Sequence, residues 1–205
     1  MTFENLLKKC SATIYPEEVD EYHKWLSGAG VSWLKGKLSP GSRVLDIGIG
    51  NGYAMEQMAK SGLVPYGISL NPDEVKAAHE KGYSAELLDM HDISIAMGKF
   101  DGVFARHVLE HSPCPLLVLN NICELLNDGG WLFVEVPAPE TASHHQTNKN
   151  HYSVLTMGGW VELIKRAGFD NPSIGSSPLA VPAGPDTYFV FLAQKSKANE
   201  KHTTD

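Results

Sequence analysis

Apolar residues in this chain fall into short blocks divided by glycine, proline and polar pairs, and the blocks alternate between strand-like and helix-like spacing. Arg43-Val44-Leu45-Asp46-Ile47 reads as a short strand. Gly48, Gly50 and Gly52 follow it at alternate positions, and a helix is expected from near Asn51 and over Ala54–Lys60. Leu63–Ile68 reads as a second strand. Asn71-Pro72-Asp73-Glu74 then supplies an N-cap, a proline at the first helical position and two acids in the first turn, which predicts a helix to about Lys81, ended by Gly82. Ser84–Leu88 is a third strand and Phe100–Ala105 a fourth. Leu116, Leu119, Ile122, Leu125 and Leu126 share one face of a helix over roughly 116–126. Asn127-Asp128-Gly129-Gly130 reads as a turn before a fifth strand, Trp131–Val136. The segment 173–194 is expected to supply the last two strands, Thr187–Leu192 being the clearer. Strands alternating with helices predict an α/β fold, a mainly parallel sheet with helices on both faces.

The glycine turn after the first strand is the most informative stretch. Glycines there let the backbone bend sharply and let a ligand approach main-chain N–H groups with no Cβ in the way. Asp46, at the strand's end, can accept hydrogen bonds from a cationic or amine-bearing ligand. Two nucleotide-type readings compete. A dinucleotide fingerprint starting at Gly48 needs a third glycine at position 53, which is Tyr53, and an acid about 20 residues on. No Lys-Ser or Lys-Thr pair follows to make a phosphate loop of the Walker type.

The spacing Asp46-x-Gly48-x-Gly50-x-Gly52 instead resembles the first motif of class I S-adenosylmethionine-dependent methyltransferases. Phe100-Asp101 through Val108-Leu109-Glu110-His111 is similar to the "FD…VLEH" segment of the members grouped as types 11 and 23. Leu125 to Leu132 is similar to their "L-x-P-G-G-x-L" turn, with Asp128 where proline is usual. His151-Tyr152-Ser153 and Trp160–Phe169 resemble their histidine-tyrosine loop and their helix ending in "AGF". Together these motifs cover about residues 43–170. The resemblance implies a Rossmann-like, doubly wound, mainly parallel seven-stranded sheet, with S-adenosyl-L-methionine as cofactor.

It also implies roles. Asp46 receives the methionine ammonium, and Gly48 and Gly50 offer backbone at the turn. Relatives usually carry an acid at the end of the second strand to bridge the ribose hydroxyls; this chain has Ser69 there, followed by Leu70, so ribose anchoring is expected to be weaker or helped by Asn71. Asp89 accepts from the adenine amine and Met90 packs on its ring. The backbone carbonyl of Arg106 accepts from the ammonium. The segment before the sheet, with a helix expected over Glu17–Leu34, closes over the cofactor with Tyr15, Tyr22 and Trp25 or simply packs on the core.

If the acceptor is a hydroxyl, a general base helps, and histidine suits neutral pH. His107 leads the candidates because it follows the fourth strand, at the carboxyl edge of the sheet; His111 and His151 come next, with His144 and His145 in the same histidine-rich loop. His107, Glu110 and His111 are spaced i, i+3 and i+4, so a helix would place them on one face, where they could hold a divalent metal. Ubiquinone-pathway O-methyltransferases have a similar segment with glutamate where His107 stands, and a bound cation is implied there. Many relatives carry Leu-Glu-His with no metal, and the site is read here as metal-free.

Composition narrows the class further. At 205 residues, 42% hydrophobic, the chain fits one domain: a helical cap over 1–40, a cofactor-binding half to 136, a substrate loop over 137–155, a last helix and strands to 194, and a mobile tail. No apolar run spans a bilayer and the start does not resemble a signal peptide, which points to a cytoplasmic protein. Three cysteines without C-x-x-C spacing suggest reduced thiols and no zinc ribbon. A net charge of -7 with no basic cluster disfavours nucleic acid as a partner. The expected partner is a small-molecule or sugar-like methyl acceptor; oligomeric state is not encoded. An NAD-type oxidoreductase and an inactive cofactor-binding subunit stand as alternatives.

Overall fold

A computed structural model describes residues 2–12 and 21–196. Tyr15, residues 17–20 of the expected first long helix, and the tail from 197 fall outside the described residues. Helix α1 spans Phe3–Ser11, with Thr2 Oγ1 accepting from Asn5 N–H at 3.3 Å as its N-cap. Helix α2 spans Glu21–Lys35. Strands β1 (Arg43–Ile47), β2 (Val64–Ser69), β3 (Ser84–Leu87), β4 (Phe100–Arg106) and β5 (Leu126–Pro137) alternate with α3 (Tyr53–Lys60), α4 (Pro72–Glu80) and α5 (Pro115–Leu125). Helix α6 (Met157–Arg166) precedes β6 (Ser173–Val181) and β7 (Gly184–Gln194).

The seven strands form one sheet in the order β3-β2-β1-β4-β5-β7-β6. β1 to β5 pair in parallel, and β7 runs antiparallel between β5 and β6. The doubly wound sheet read from the sequence is therefore present, closed by an antiparallel hairpin. Its strand order reverses between β1 and β4, the point where such sheets open a crevice beyond their carboxyl ends.

Local signals set several boundaries. Asn71 Oδ1 accepts from Asp73 N–H at 2.9 Å, Pro72 opens α4, and Gly82 leaves it at φ +83°. One expected element changes form. Residues 127–130 do not stand between α5 and a separate strand: Leu126 already pairs with Phe100, and Trp131 pairs with Gly102 after a register shift. The glycine pair is thus an irregularity within β5, the kind of local break that a left-handed Gly129 (φ +75°) permits.

Alternation along the strands divides the core between the two sheet faces. Leu45, Val103, Leu132 and Val134 pack with α5 and α6 around Leu119, Ile122 and the fully buried Trp160. Val44, Phe104 and Phe133 point to the other face and meet Val31 and Leu34 of α2. Phe104 and Phe133 stack there with ring centroids 4.8 Å apart. A Cβ on Gly30 would lie 2.6 Å from the Phe133 ring, so only glycine lets α2 come this close. Burial of each large apolar side chain in these clusters contributes about 1.5–3 kcal/mol. By the same alternation, Asp46, Arg106 and Glu135 lie on the α2 face at the carboxyl ends of β1, β4 and β5. Among the described residues, no helix is long and apolar enough to cross a membrane.

Candidate active site

A cavity of about 450 Å³ opens beyond the carboxyl ends of β1, β2 and β4. The glycine turn forms its floor. Gly48 (φ +76°) is forced by close approach, since a Cβ there would sit 2.4 Å from Val108 Cγ1. Gly50 (φ +49°) has nothing within 4 Å of a Cβ position, so its backbone faces open space. Gly48 and Ile49 donate their N–H groups to the Ile68 carbonyl, which fixes the turn against β2.

Asp46 lines this cavity and is only 2% exposed. Its Oδ2 is buried with no hydrogen-bond partner. Burial alone pushes its carboxyl up to about 7. A carboxylate in that position stabilises whatever cation reaches it, because water no longer competes.

Ser69, Leu70 and Met90 also line the cavity, as does Arg106. Asp89 does not. Its carboxylate accepts from His91 N–H at 3.0 Å, from His91 Nδ1 at 2.5 Å and from the Ser11 hydroxyl at 2.6 Å. Burial opposes ionisation, yet these hydrogen bonds hold the Asp89 carboxyl at about 2. The expected adenine acceptor is thus already engaged, and it joins α1 to the sheet through Ser11, which does line the cavity. Tyr22 and Trp25 stack on each other at 5.8 Å and are exposed at 39% and 63%, so neither covers the cavity; His23 and Ser27 of α2 line it instead.

The segment after β4 departs from the helix that its spacing suggested. His107 sits at φ +52°, and Leu109–His111 forms a single 3-10 turn. Pro113 follows Ser112, which is extended at ψ 128°, as a residue before proline must be, so no helix can propagate. His107, Glu110 and His111 consequently do not share a face. His107 turns inward: Nδ1 lies 3.4 Å from Glu110 Oε1 and Nε2 lies 3.2 Å from Glu135 Oε1, the second contact being off the line of a hydrogen bond. Arg106 Nε is 2.6 Å from the same Glu135 oxygen, also out of line. Burial and the Arg106 guanidinium oppose a charge on His107, but the two carboxylates overcome them and raise its pKa to about 9. Arg106, His107, Glu110 and Glu135 thus form a set of two cations and two anions, the carboxylates buried and the cations partly exposed at the cavity wall. His107 also lines the cavity, but an imidazolium held that way is a poor proton acceptor at neutral pH, which argues against it as the base.

His111 lines the cavity and is oriented differently. Its Nδ1 lies 2.9 Å from the Asn150 carbonyl. A carbonyl only accepts, so Nδ1 carries a proton, and the neutral tautomer compatible with this contact has its lone pair on Nε2. The histidine loop is anchored on this turn: Tyr152 and Ser153 both donate N–H to the Glu110 carbonyl, at 2.7 and 3.0 Å. The His151 ring meets His111 edge-on at 5.0 Å and stacks on His145 at 5.5 Å. His145 Nε2 is in turn 2.9 Å from Asp186 Oδ2, which also accepts from the Ser143 hydroxyl at 2.6 Å. His144 is exposed at φ +48°. Among the described residues, Glu110, His111 and His151 have ligand atoms within 4.8 Å of one another, a set that could hold a metal and that differs from the sequence-spaced one.

Several contributors escaped the sequence reading. Glu74 of α4 lines the cavity, Glu135 and Asp186 hold histidines, and Tyr188 packs edge-on against His107 at 4.3 Å. Glu135 left a signal: it is the lone acid in the apolar run Trp131–Pro137, at a position that alternation buries.

Comparison with known proteins agrees with this geometry. The profile of a family described as a methyltransferase domain matches residues 28–174. A ubiquinone biosynthesis O-methyltransferase from Xanthomonas campestris pv. campestris is 37% identical over 102 residues, 46% of this chain and 43% of that protein. The enzyme of the same name from Thiobacillus denitrificans is 38% identical over 100 residues, 45% of this chain and 43% of its own length. The match therefore spans less than half the length of these curated relatives. In structure, the chain is similar to the 1,6-didemethyltoxoflavin-N1-methyltransferase of Burkholderia thailandensis, solved with its substrate and S-adenosylhomocysteine (TM-score 0.71, 19% identity, 95% of this chain and 89% of that one). It is also similar to a SAM-dependent methyltransferase from Archaeoglobus fulgidus (TM-score 0.70, 16% identity, 95% of this chain and all of that one).

Proposed function

The chain belongs to the methyltransferase-domain family, and on that footing we propose that it uses S-adenosyl-L-methionine to methylate a hydroxyl of a small or sugar-like acceptor. The observation that carries this reading is the partnerless, buried Asp46 carboxylate above the glycine turn. A dinucleotide would bring phosphates to that turn and set them against an acid; an amino-acid-bearing sulfonium nucleoside brings an ammonium that the acid attracts. Gly48 and Gly50 shape the turn, Met90 offers an apolar wall for a base, and Ser69, Leu70 and Arg106 complete the lining.

When bound, the cofactor supplies a methyl group made electrophilic by its sulfonium sulfur. The protein's part is to align the acceptor and remove its proton. Positioning alone accounts for much of the rate in such transfers. His111 Nε2, with its tautomer fixed by Asn150, takes the acceptor's hydroxyl proton. His151, against its edge, and His145, held by Asp186, keep the wall behind it in place. His107, locked as a cation, contributes a fixed wall and no base.

Calorimetric titration tests the class. S-adenosylhomocysteine is expected to bind and NAD is not; binding of NAD alone would move the protein to the oxidoreductases. Turnover against a panel of hydroxyl, amine and carbon acceptors then separates an enzyme from an inactive binding subunit. One observation favours a second reading of the acceptor side: Glu110 Oε2 is buried without a hydrogen-bond partner beside His111 and His151. Glu110, His111 and His151 would hold a divalent cation there, and the cation would supply Lewis-acid activation of a hydroxyl acceptor. An unchanged rate after exhaustive chelation excludes it, and a lost rate restored by Mg²⁺ or Zn²⁺ establishes it over the histidine base.

A further inference from the structure

Two carboxylates line the cavity, and they are placed for different partners. Asp46 is deep, buried and partnerless. Glu74, in the first turn of α4, is half-buried and already held by a neighbour: the Ser69 hydroxyl donates to its Oε2 at 2.6 Å. The same hydroxyl oxygen accepts from Asn71 N–H at 3.0 Å. Ser69 has therefore given its proton to Glu74 and a lone pair to Asn71, and it has nothing left to donate to a ligand. Asn71 Oδ1 is engaged as well, capping α4, which leaves Asn71 only its Nδ2 donors for the cavity. The side-chain acceptor that the end of β2 presents to the cavity is the remaining face of the Glu74 carboxylate, aimed by Ser69.

An ionised carboxylate is an acceptor-only group with lone pairs on both oxygens. With one oxygen fixed by Ser69, its natural neutral complement is a pair of adjacent hydroxyls that donate to both oxygens side by side. A cation is the competing partner, but Asp46 lies deeper, where a cation gains more from desolvation. We propose that Glu74, oriented by Ser69, is the acid that grips the vicinal diol of a nucleoside ribose in this cavity. The inference rests on the cofactor reading given above. It assigns to a helical residue the role that the sequence, with only Ser69 and Asn71 in view, left weak.

The test is a calorimetric titration of four proteins: wild type, Glu74→Gln, Ser69→Ala, and Glu74→Gln combined with Ser69→Asp. Each is titrated with S-adenosylhomocysteine and with its 2′,3′-dideoxy analogue. Loss of a charged hydrogen-bond acceptor predicts about a 10- to 100-fold weaker Kd for S-adenosylhomocysteine in Glu74→Gln. Ser69→Ala should give a smaller loss, and Ser69→Asp, which returns an acid to the strand end, should restore affinity in the Glu74→Gln background. The dideoxy analogue should bind wild type and Glu74→Gln equally. Unchanged affinity in Glu74→Gln, or an equal loss for both ligands, overturns the assignment while leaving the cofactor reading intact. Failure of wild type to bind either ligand overturns the cofactor reading itself.

Discussion

Asp46 and Glu135 are acids on the same face of the same sheet, at the carboxyl ends of strands separated only by β4. Both are 2% exposed. Their situations are otherwise opposite. Glu135 has Arg106 and His107 against it and, with Glu110, completes a set of two charges of each sign. Asp46 has no partner on Oδ2 and its carboxyl is pushed up to about 7. One acid has its charge balanced by the fold, although its Oε1 lacks an aligned hydrogen bond; the other has no counter-charge and is left for a ligand. Stability and function therefore divide across this sheet, and identical burial does not tell them apart. The counter-charge does.

Breaking Glu135 should cost the most stability. Glu135→Gln leaves Arg106 and His107 without their shared counter-ion, and denaturant unfolding should show a loss of about 3–5 kcal/mol. A loss below about 1 kcal/mol would mean the set is not cooperative. Asp46→Asn should have the reverse sign. It removes a buried, uncompensated charge, so at pH 8 the unliganded variant should be more stable than wild type by about 2–4 kcal/mol, even as it loses S-adenosylhomocysteine binding.

The pH dependence follows with a defined sign. Burial raises the folded pKa of Asp46 to about 7, well above the ordinary carboxylate range, so its charge destabilises the unliganded fold progressively as pH rises from about 4 through about 7. Ligand affinity runs the other way: an ammonium needs the ionised acid, so Kd should rise as pH falls below about 7, towards tenfold per unit. A flat profile between pH 5 and 8 would show that Asp46 is not the group involved.

On the acceptor side, His111→Ala should lower turnover by about 10²- to 10⁴-fold with S-adenosylhomocysteine affinity unchanged. His144→Ala, at an exposed position, should leave both alone. The smallest expected loss of stability lies in the packing that places α2: Gly30→Ala, forced against Phe133, should cost about 1–3 kcal/mol.

The cofactor half was legible because its signals are local. Glycines at fixed offsets, an Asn-Pro-Asp-Glu start and short apolar runs each act through backbone chemistry within a few residues, and the β1 turn and α4 follow them closely. The acceptor half depends on long-range pairing. Glu135 reaches His107 from the next strand, and Asp186 reaches His145 from β7, across 41 residues of chain. Spacing over 107–111 misled because a helix was assumed, although Pro113 and Pro115 already argued against one. The aromatics of α2 drew attention by size, whereas the cavity takes His23 and Ser27 from that helix. Glu74 was visible as a first-turn acid that favours helix formation, and only its contact with Ser69 gave it a second use.

A crystal structure with S-adenosylhomocysteine bound tests the central claim most directly. The ligand's amino group should lie within hydrogen-bonding distance of the Asp46 carboxylate, with its backbone-facing side on the Gly48–Gly50 turn. An amino group placed elsewhere, with Asp46 still partnerless beneath the ligand, would contradict the account.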